Sequence, residues 1–357
     1  MSGTSGPAAP SGPRGVLVLG MHRSGTSAVT ELVHLLGLSA GEESDLMPAT
    51  DANPRGYWES SRLTRFNDDL LGRLGGSWAA PPALPEGWWR GASVASLQEP
   101  SRALFRSVQA EGPFVWKDPR NCLTLPFWRD ALGFSPPVLL VTRDPVEVAL
   151  SLRLRDALPK LLSLALWERY VRESLRACRG LPVLVLRFEN VMRDPVRTCE
   201  RVRSFLAKQA IPCRELPDDR IREFLDPTIP RSSLSRDGSR DPDLSPAQCD
   251  LLRVLETIEG EHAGFAPPDL PPETRWCNAL FEQQRGVEYR RRELGALIEA
   301  RGRTGEAIGR LEAALGRVER EVADLRRQVG ALRTGRGVLD ALRSAARRLG
   351  TFLSSPK

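Results

Sequence analysis

Eight consecutive residues near the start of the chain, Gly20 to Ser27 (GMHRSGTS), bring two glycines, one guanidinium and three hydroxyls into a stretch short enough to wrap a single anion. Glycines let the backbone curl so that successive N–H groups point inward, and the N-terminus of a following helix adds its partial positive charge. The flanks supply that setting. Val16, Leu17, Val18 and Leu19 form an apolar strand-like run, and Val29, Leu32, Val33 and Leu36 repeat at helical spacing. The expected occupant is a phosphorylated ligand. Gly20 and Gly25 have the spacing of a Walker A loop, but Thr26 stands where its lysine belongs, and the cation, Arg23, comes two residues before the second glycine. That substitution counts against nucleotide triphosphatases and metal-dependent kinases, whose lysine reaches the outer phosphates.

A second anion position is written further along. Val138 to Val141 reads as a buried strand that runs into Thr142, Arg143, Asp144 and Pro145. Asp144 fits a helix N-cap and Pro145 the first helical position, which places Ser151 about two turns into that helix. An arginine at a strand end and a hydroxyl on the next helix clamp a phosphate distinct from the one in the first loop. Two such positions predict a bisphosphorylated nucleotide.

These residues resemble a known family, the sulfotransferases that use 3′-phosphoadenosine 5′-phosphosulfate, in particular the bacterial branch with an HRSGTS loop, over about Arg14 to Pro267. The resemblance implies that Arg23, Ser24, Gly25, Thr26 and Ser27 bind the 5′-phosphosulfate, with Arg23 at the bridging oxygen. It gives Arg143 and Ser151, in RDPVEVALS, the 3′-phosphate. Val183 to Leu186, with Arg187, Phe188, Glu189, Asn190 and later Asp194-Pro195, resembles the family's strand, acidic turn and capped helix; Glu189 reads there as an orienting carboxylate. Pro230 to Ser233 resembles a late nucleotide-side segment. The fold implied is α/β, a three-layer α/β/α domain of P-loop type with a mostly parallel sheet and the nucleotide across its carboxyl edge.

The implied reaction is in-line transfer of a sulfuryl group to an acceptor hydroxyl or amine with no metal required. It needs a base within reach of the acceptor. Glu59, in the segment DANPRGYWES (Asp51 to Ser60), resembles a glutamate-bearing stretch of the branch and is the first choice, although the same carboxylate also suits a helix start at Ser60 and Ser61. His22 is second, its place beside the donor suiting charge stabilisation. His34 and His262 read as structural or solvated. Lys117 ends a strand-like run in WKDPRN, at the place of a family lysine beside the reacting sulfate, and clusters with Asp118 and Arg120. Arg55 is a further anion contact.

Trp58, Trp78, Trp88 and Trp89 lie with Tyr57 between the first helix and the Lys117 strand. Flat aromatic faces suit the sugar rings of a glycan acceptor and equally suit packing of a loop onto the domain. An apolar fraction of 41% over 357 residues supports a sizeable core. Six scattered cysteines, with no CxxC pair and no nearby histidine, indicate neither zinc nor a disulfide framework. Residues 1–13 read as a disordered Gly/Ser/Pro/Ala tail rather than a signal peptide, and no segment is apolar enough to span a membrane. With a donor that the resemblance makes an intracellular metabolite, a cytoplasmic location is expected.

The expected boundaries are a sulfotransferase domain over 14–275, a coiled coil over 276–335 and a basic amphipathic helix or tail over 336–357. Ile308, Leu311, Leu315, Val318, Val322, Leu325, Val329 and Leu332 alternate spacings of three and four, a heptad seam suited to a parallel two-stranded coil and hence a homodimer. Leu294 and Leu297 share its register, with interruptions at Arg301 and Thr304, and Glu321 with Arg326 offers a cross-strand pair. From Arg333 on, five arginines and Lys357 face only Asp340, giving +5 of the chain's formal +6. Val338, Leu342, Ala345, Leu349 and Leu353 line one face of that tail, which fits peripheral contact with anionic lipid at the inner membrane surface and equally a solvated helix. No nucleic-acid reading motif or basic patch in the domain is present. A competing reading is a coiled-coil assembly protein whose domain only binds nucleotide; the complete set of Arg23, Thr26, Arg143 and Ser151 favours the enzyme.

Overall fold

The computed structural model describes residues 14–50, 53, 55–109, 112–224, 241–301 and 308–332. The expected tail at 1–13, the segment Pro230 to Ser233 and the basic stretch after residue 332 lie outside the described residues. So do Asp51, Ala52 and Pro54.

Apolar runs become the sheet. β1 (Gly15–Leu19), β2 (Phe114–Lys117), β3 (Val138–Thr142) and β4 (Val183–Arg187) are parallel, and β5 (Gly260–His262) adds an antiparallel edge in the order β2-β1-β3-β4-β5. Every residue of β1, β2 and β3 is buried, as expected of parallel strands covered on both faces. Leu17 sits in register with Trp116 of β2 and Val138 of β3.

The helices before β3 are α1 (Thr26–Leu35), α2 (Ser61–Arg73), α3 (Ala92–Ala95), α4 (Gln98–Val108) and α5 (Asn121–Leu132). After β3 come α6 (Pro145–Asp156) and α7 (Lys160–Ala177); after β4, α8 (Phe188–Arg193), α9 (Pro195–Lys208), α10 (Asp218–Phe224) and α11 (Pro246–Thr257). One face of the sheet, with Val16, Val18, Leu139, Val141, Leu184 and Leu186, packs in a single apolar cluster with residues of α1 and α9. On the other face Trp116 meets Trp128 of α5 edge-on, centroids 5.0 Å apart, and Phe105 of α4 at 5.1 Å. Helices on both faces give the three expected layers.

Strand order sets the place of the site. From β1 the chain crosses to β2 on one side and then to β3 on the other, so the loops leaving β1 and β3 diverge and open a crevice at the carboxyl ends of the strands. The chain divides into two compact units between Asn278 and Ala279. Within the first, α7 holds a buried ion pair, Arg172 to Glu168 at 2.8 Å. Glu168 also accepts from the Thr274 N–H at 3.0 Å, and Arg172 donates to the carbonyls of Pro271 and Pro272. These bonds fasten the segment after β5 onto α7.

The second unit contains most of α12 (Cys277–Arg301) and all of α13 (Ile308–Leu332). Within this unit Glu321 of α13 faces Arg290 of α12 at 3.4 Å. Along the α13 seam Leu315 is exposed and Val318, Val322, Leu325 and Val329 are half-buried. Among the described residues no helix is long and apolar enough to cross a membrane.

Candidate active site

The loop after β1 is shaped by two glycines that tolerate no side chain. Gly20 has φ 155°, and a Cβ there would lie 2.5 Å from the Val141 carbonyl of β3. Gly25, at φ 91°, would drive a Cβ into the ring of Phe188 at the start of α8. Between them Arg23 adopts φ 68°, a left-handed conformation uncommon for a residue with a side chain. The loop is closed by the Ser24 N–H on the Met21 carbonyl at 3.0 Å. Gly25 caps α1 without a side-chain hydrogen bond, and the first turn holds no acid. The N–H groups there have no acceptor within the helix, so this end of α1 offers donors and partial positive charge.

Arg23 joins the two predicted anion positions. Its Nε donates to Ser151 Oγ at 2.7 Å, and Arg143 Nη1 donates to the Arg23 carbonyl at 3.0 Å. Arg143 and Ser151 thus converge on Arg23, one on its backbone and one on its side chain. Arg143 is steered by Glu147 at 3.5 Å and by the Phe188 ring, 4.8 Å from its guanidinium carbon. Its carbonyl accepts from Trp167 Nε1 of α7 at 3.1 Å. Asp144 caps α6 through the N–H groups of Val146 and Glu147, with Pro145 in the first turn, as expected. Glu189 accepts the Asp144 N–H at 2.9 Å and so orients this turn. Burial, then the neighbouring Arg155, lowers the proton affinity of Arg23.

At the end of β2, Lys117 Nζ donates to Glu59 Oε1 at 2.5 Å and to Ser27 Oγ at 3.2 Å, tying the Glu59 carboxylate to the start of α1. Both side chains are nearly inaccessible, Lys117 at 1% and Glu59 at 6%. Burial raises Glu59 above the ordinary carboxylate range, with Lys117 opposing. Ser60, not Glu59, caps α2, through the Leu63 N–H. Arg120 pairs with Asp118 at 3.1 Å and Asp68 at 2.6 Å and stands 3.9 Å from Glu59. Asn67 joins Asp118 to Asn121, at 2.9 and 3.0 Å.

His22 turns its ring toward Trp78 and Tyr170 of α7, with centroids at 4.6 and 5.7 Å. Its Nε2 is buried without a hydrogen-bond partner. Burial first, then Arg120, Arg155, Lys117 and Arg23, holds it well below the ordinary histidine range, so the imidazole is neutral and offers a hydrogen bond, not a charge. Of the other histidines, His34 bonds the Leu38 carbonyl through Nδ1, and His262 the Ile258 carbonyl through Nε2; both are structural. Arg55 lies 3.7 Å from Glu31.

The tryptophans divide. Trp78 belongs to the site, Trp58 packs on His34 at 4.8 Å, and Trp88 with Trp89 lines a cleft of about 890 Å³ beside Arg90 and Asp130, formed with α5 and α7. Two contributors escaped the sequence reading: Tyr170, whose hydroxyl donates to the Trp78 carbonyl at 2.8 Å, and Arg155, whose guanidinium lies over Trp78 at 5.7 Å. The signal for Arg155 was its spacing, four residues after Ser151 and so on the same helix face. Among the described residues no group of three or more His, Cys, Asp or Glu side chains is placed to hold a metal ion.

No protein-family profile matches the chain, and no curated protein matches it in sequence. Nine solved chains match it in structure. One of them, the sulfotransferase domain from the Synechococcus PCC 7002 olefin synthase, is 19% identical, with a TM-score of 0.35 over 77% of this chain and 97% of that domain.

Proposed function

We propose that this protein is a sulfotransferase that takes a sulfuryl group from 3′-phosphoadenosine 5′-phosphosulfate and places it on a hydroxyl or amine, with a glycan as the favoured acceptor class. The observation that carries this reading is the linkage of two anion positions through one residue: Arg143 on the Arg23 carbonyl and Ser151 on the Arg23 side chain, at the point where strand order reverses. Such an arrangement fits a nucleotide with a phosphate at each end better than a triphosphate, for which a lysine after the second glycine would be needed.

The residues present fit that donor. The bare N-terminus of α1, Ser24, Thr26 and Ser27 hold the 5′ side, Arg23 and Lys117 flank the charge that develops on the departing phosphate, and Arg143 with Ser151 holds the 3′-phosphate. Glu59 takes the acceptor's proton as the new O–S bond forms and the bond from sulfur to the phosphate oxygen breaks. Its raised proton affinity suits that task near neutral pH. His22, neutral, packs on Trp78 and Tyr170 beside the loop. A cytoplasmic location accompanies this donor.

The α13 seam, exposed at Leu315 and half-buried beyond it, supports association of two copies through a coiled coil. The basic stretch after residue 332, in which five arginines and Lys357 stand against Asp340, is a peripheral membrane contact on the same reading.

Donor turnover tests the function without knowledge of the acceptor. The wild type should release 3′-phosphoadenosine 5′-phosphate slowly, with water as the poor acceptor, and Arg23→Gln should abolish this. Hydrolysis of ATP with magnesium, in place of donor turnover, would contradict the assignment.

A further inference from the structure

The proposed donor carries two anionic ends, and the site holds one cation more than they require. Arg23 and Lys117 stand at the loop and Arg143 at the strand end. Arg155 belongs to neither position. It leaves α6 one turn past Ser151, on the same face, and lies against Trp78, which in turn touches His22.

Its guanidinium is held ready. Nε is fixed by Asp156 at 2.7 Å, and the side chain is only 18% exposed. The plate beneath it is itself anchored, since the Trp78 carbonyl accepts the hydroxyl of the fully buried Tyr170. Nη1 and Nη2 have no partner among the described residues, which leaves the fork of the guanidinium free to take a planar anion with two bonds. The cations around it are engaged: Arg120 by Asp118 and Asp68, Lys117 by Glu59, Arg143 by Glu147.

Arg155 is also costly where it is. After burial it is the largest influence depressing the protonation of Arg23, and it acts on His22 in the same sense. A like charge kept beside a buried arginine at a functional site is offset when a counter-charge arrives.

Resting on the sulfotransferase reading, we infer that the acceptor is itself an anion, a hydroxyl compound bearing a carboxylate or an already installed sulfate, and that Arg155 selects it by pairing with that group while Trp78 keeps the guanidinium in place. Among glycans this means acidic sugars over neutral ones.

The test uses the full chain, labelled donor and paired acceptors that differ only in charge: methyl β-glucuronide against methyl β-glucoside, and 4-hydroxybenzoate against 4-hydroxybenzamide. In the wild type the carboxylated member of at least one pair should be preferred in kcat/KM by about tenfold or more. Arg155→Gln should bring that ratio close to one, through KM, while 3′-phosphoadenosine 5′-phosphate still binds within about twofold of the wild type; Arg155→Lys should restore part of the preference. Equal use of both members, or transfer to neither, overturns the inference. So does weakened product binding in Arg155→Gln comparable to that in Arg143→Ala, which would make Arg155 a donor residue. Failure of the wild type to bind the product at all would instead sink the donor assignment beneath it.

Discussion

Protonating His22 would put a further positive charge among Arg23, Lys117, Arg120 and Arg155 in a buried pocket, and its neutrality has a consequence for stability. In the unfolded chain this imidazole titrates near 6.5, and in the folded protein well below that. As pH falls through 6.5 the unfolded state gains a proton that the folded state refuses, so stability present at neutral pH is lost, by at most about 1.4 kcal/mol per pH unit. Glu59 runs the other way: its raised value favours the folded state most below 4.5 and less as pH rises. Urea unfolding at pH 7.5 and 5.5 should therefore show a smaller loss for His22→Gln than for the wild type; equal losses would mean that His22 is charged or exposed. Gly25→Ala should destabilise by about 3 kcal/mol or more, from a positive φ and collision with Phe188, and Phe188→Ala in the same chain should recover part of that. Glu59→Gln should cut donor-dependent turnover by about a hundredfold or more and leave product binding intact, because the base acts only as the bond forms. The local motifs single out Arg23, Thr26, Arg143 and Ser151. They do not disclose that Ser151 and Arg143 both fasten Arg23, since that bond joins residues 128 apart in sequence.

Among the elements, the parallel strands were legible because burial on both faces leaves an unbroken apolar run such as Val138 to Val141. The capped start of α6 was legible from Asp144 and Pro145 for the same local reason. β5 was not: Gly260, Glu261 and His262 lack any strand pattern and pair only because β4 presents an edge. Helix α7 was obscured by Glu168, Arg169 and Arg172, charges that read as surface but lie buried in the fold. Removing one partner of such a pair leaves the other uncompensated. Glu168→Ala should cost about 3–5 kcal/mol in denaturant unfolding and loosen the segment at Pro271 and Pro272. A cost below about 1 kcal/mol would show that Arg172 is satisfied by those carbonyls alone.

At the scale of the molecule, strand order could not be read from hydrophobic periodicity, which reports which faces are buried but not which strands adjoin. Yet the order β2-β1-β3-β4-β5 is what brings the loop of Arg23 against the strand end of Arg143. The second unit carries the association proposal. Val318→Asp with Val322→Asp should convert a dimer to a monomer in sedimentation experiments without altering nucleotide binding; a monomeric wild type would remove the coiled coil from the account. Calorimetry decides whether the ligand is a bisphosphorylated nucleotide: 3′-phosphoadenosine 5′-phosphate against ATP with magnesium, on the full chain and on Arg143→Ala. The product should bind, ATP with magnesium should bind far more weakly, and Arg143→Ala should weaken product binding by about tenfold or more. Preference for ATP with magnesium, or product binding indifferent to Arg143, would contradict a bisphosphorylated ligand.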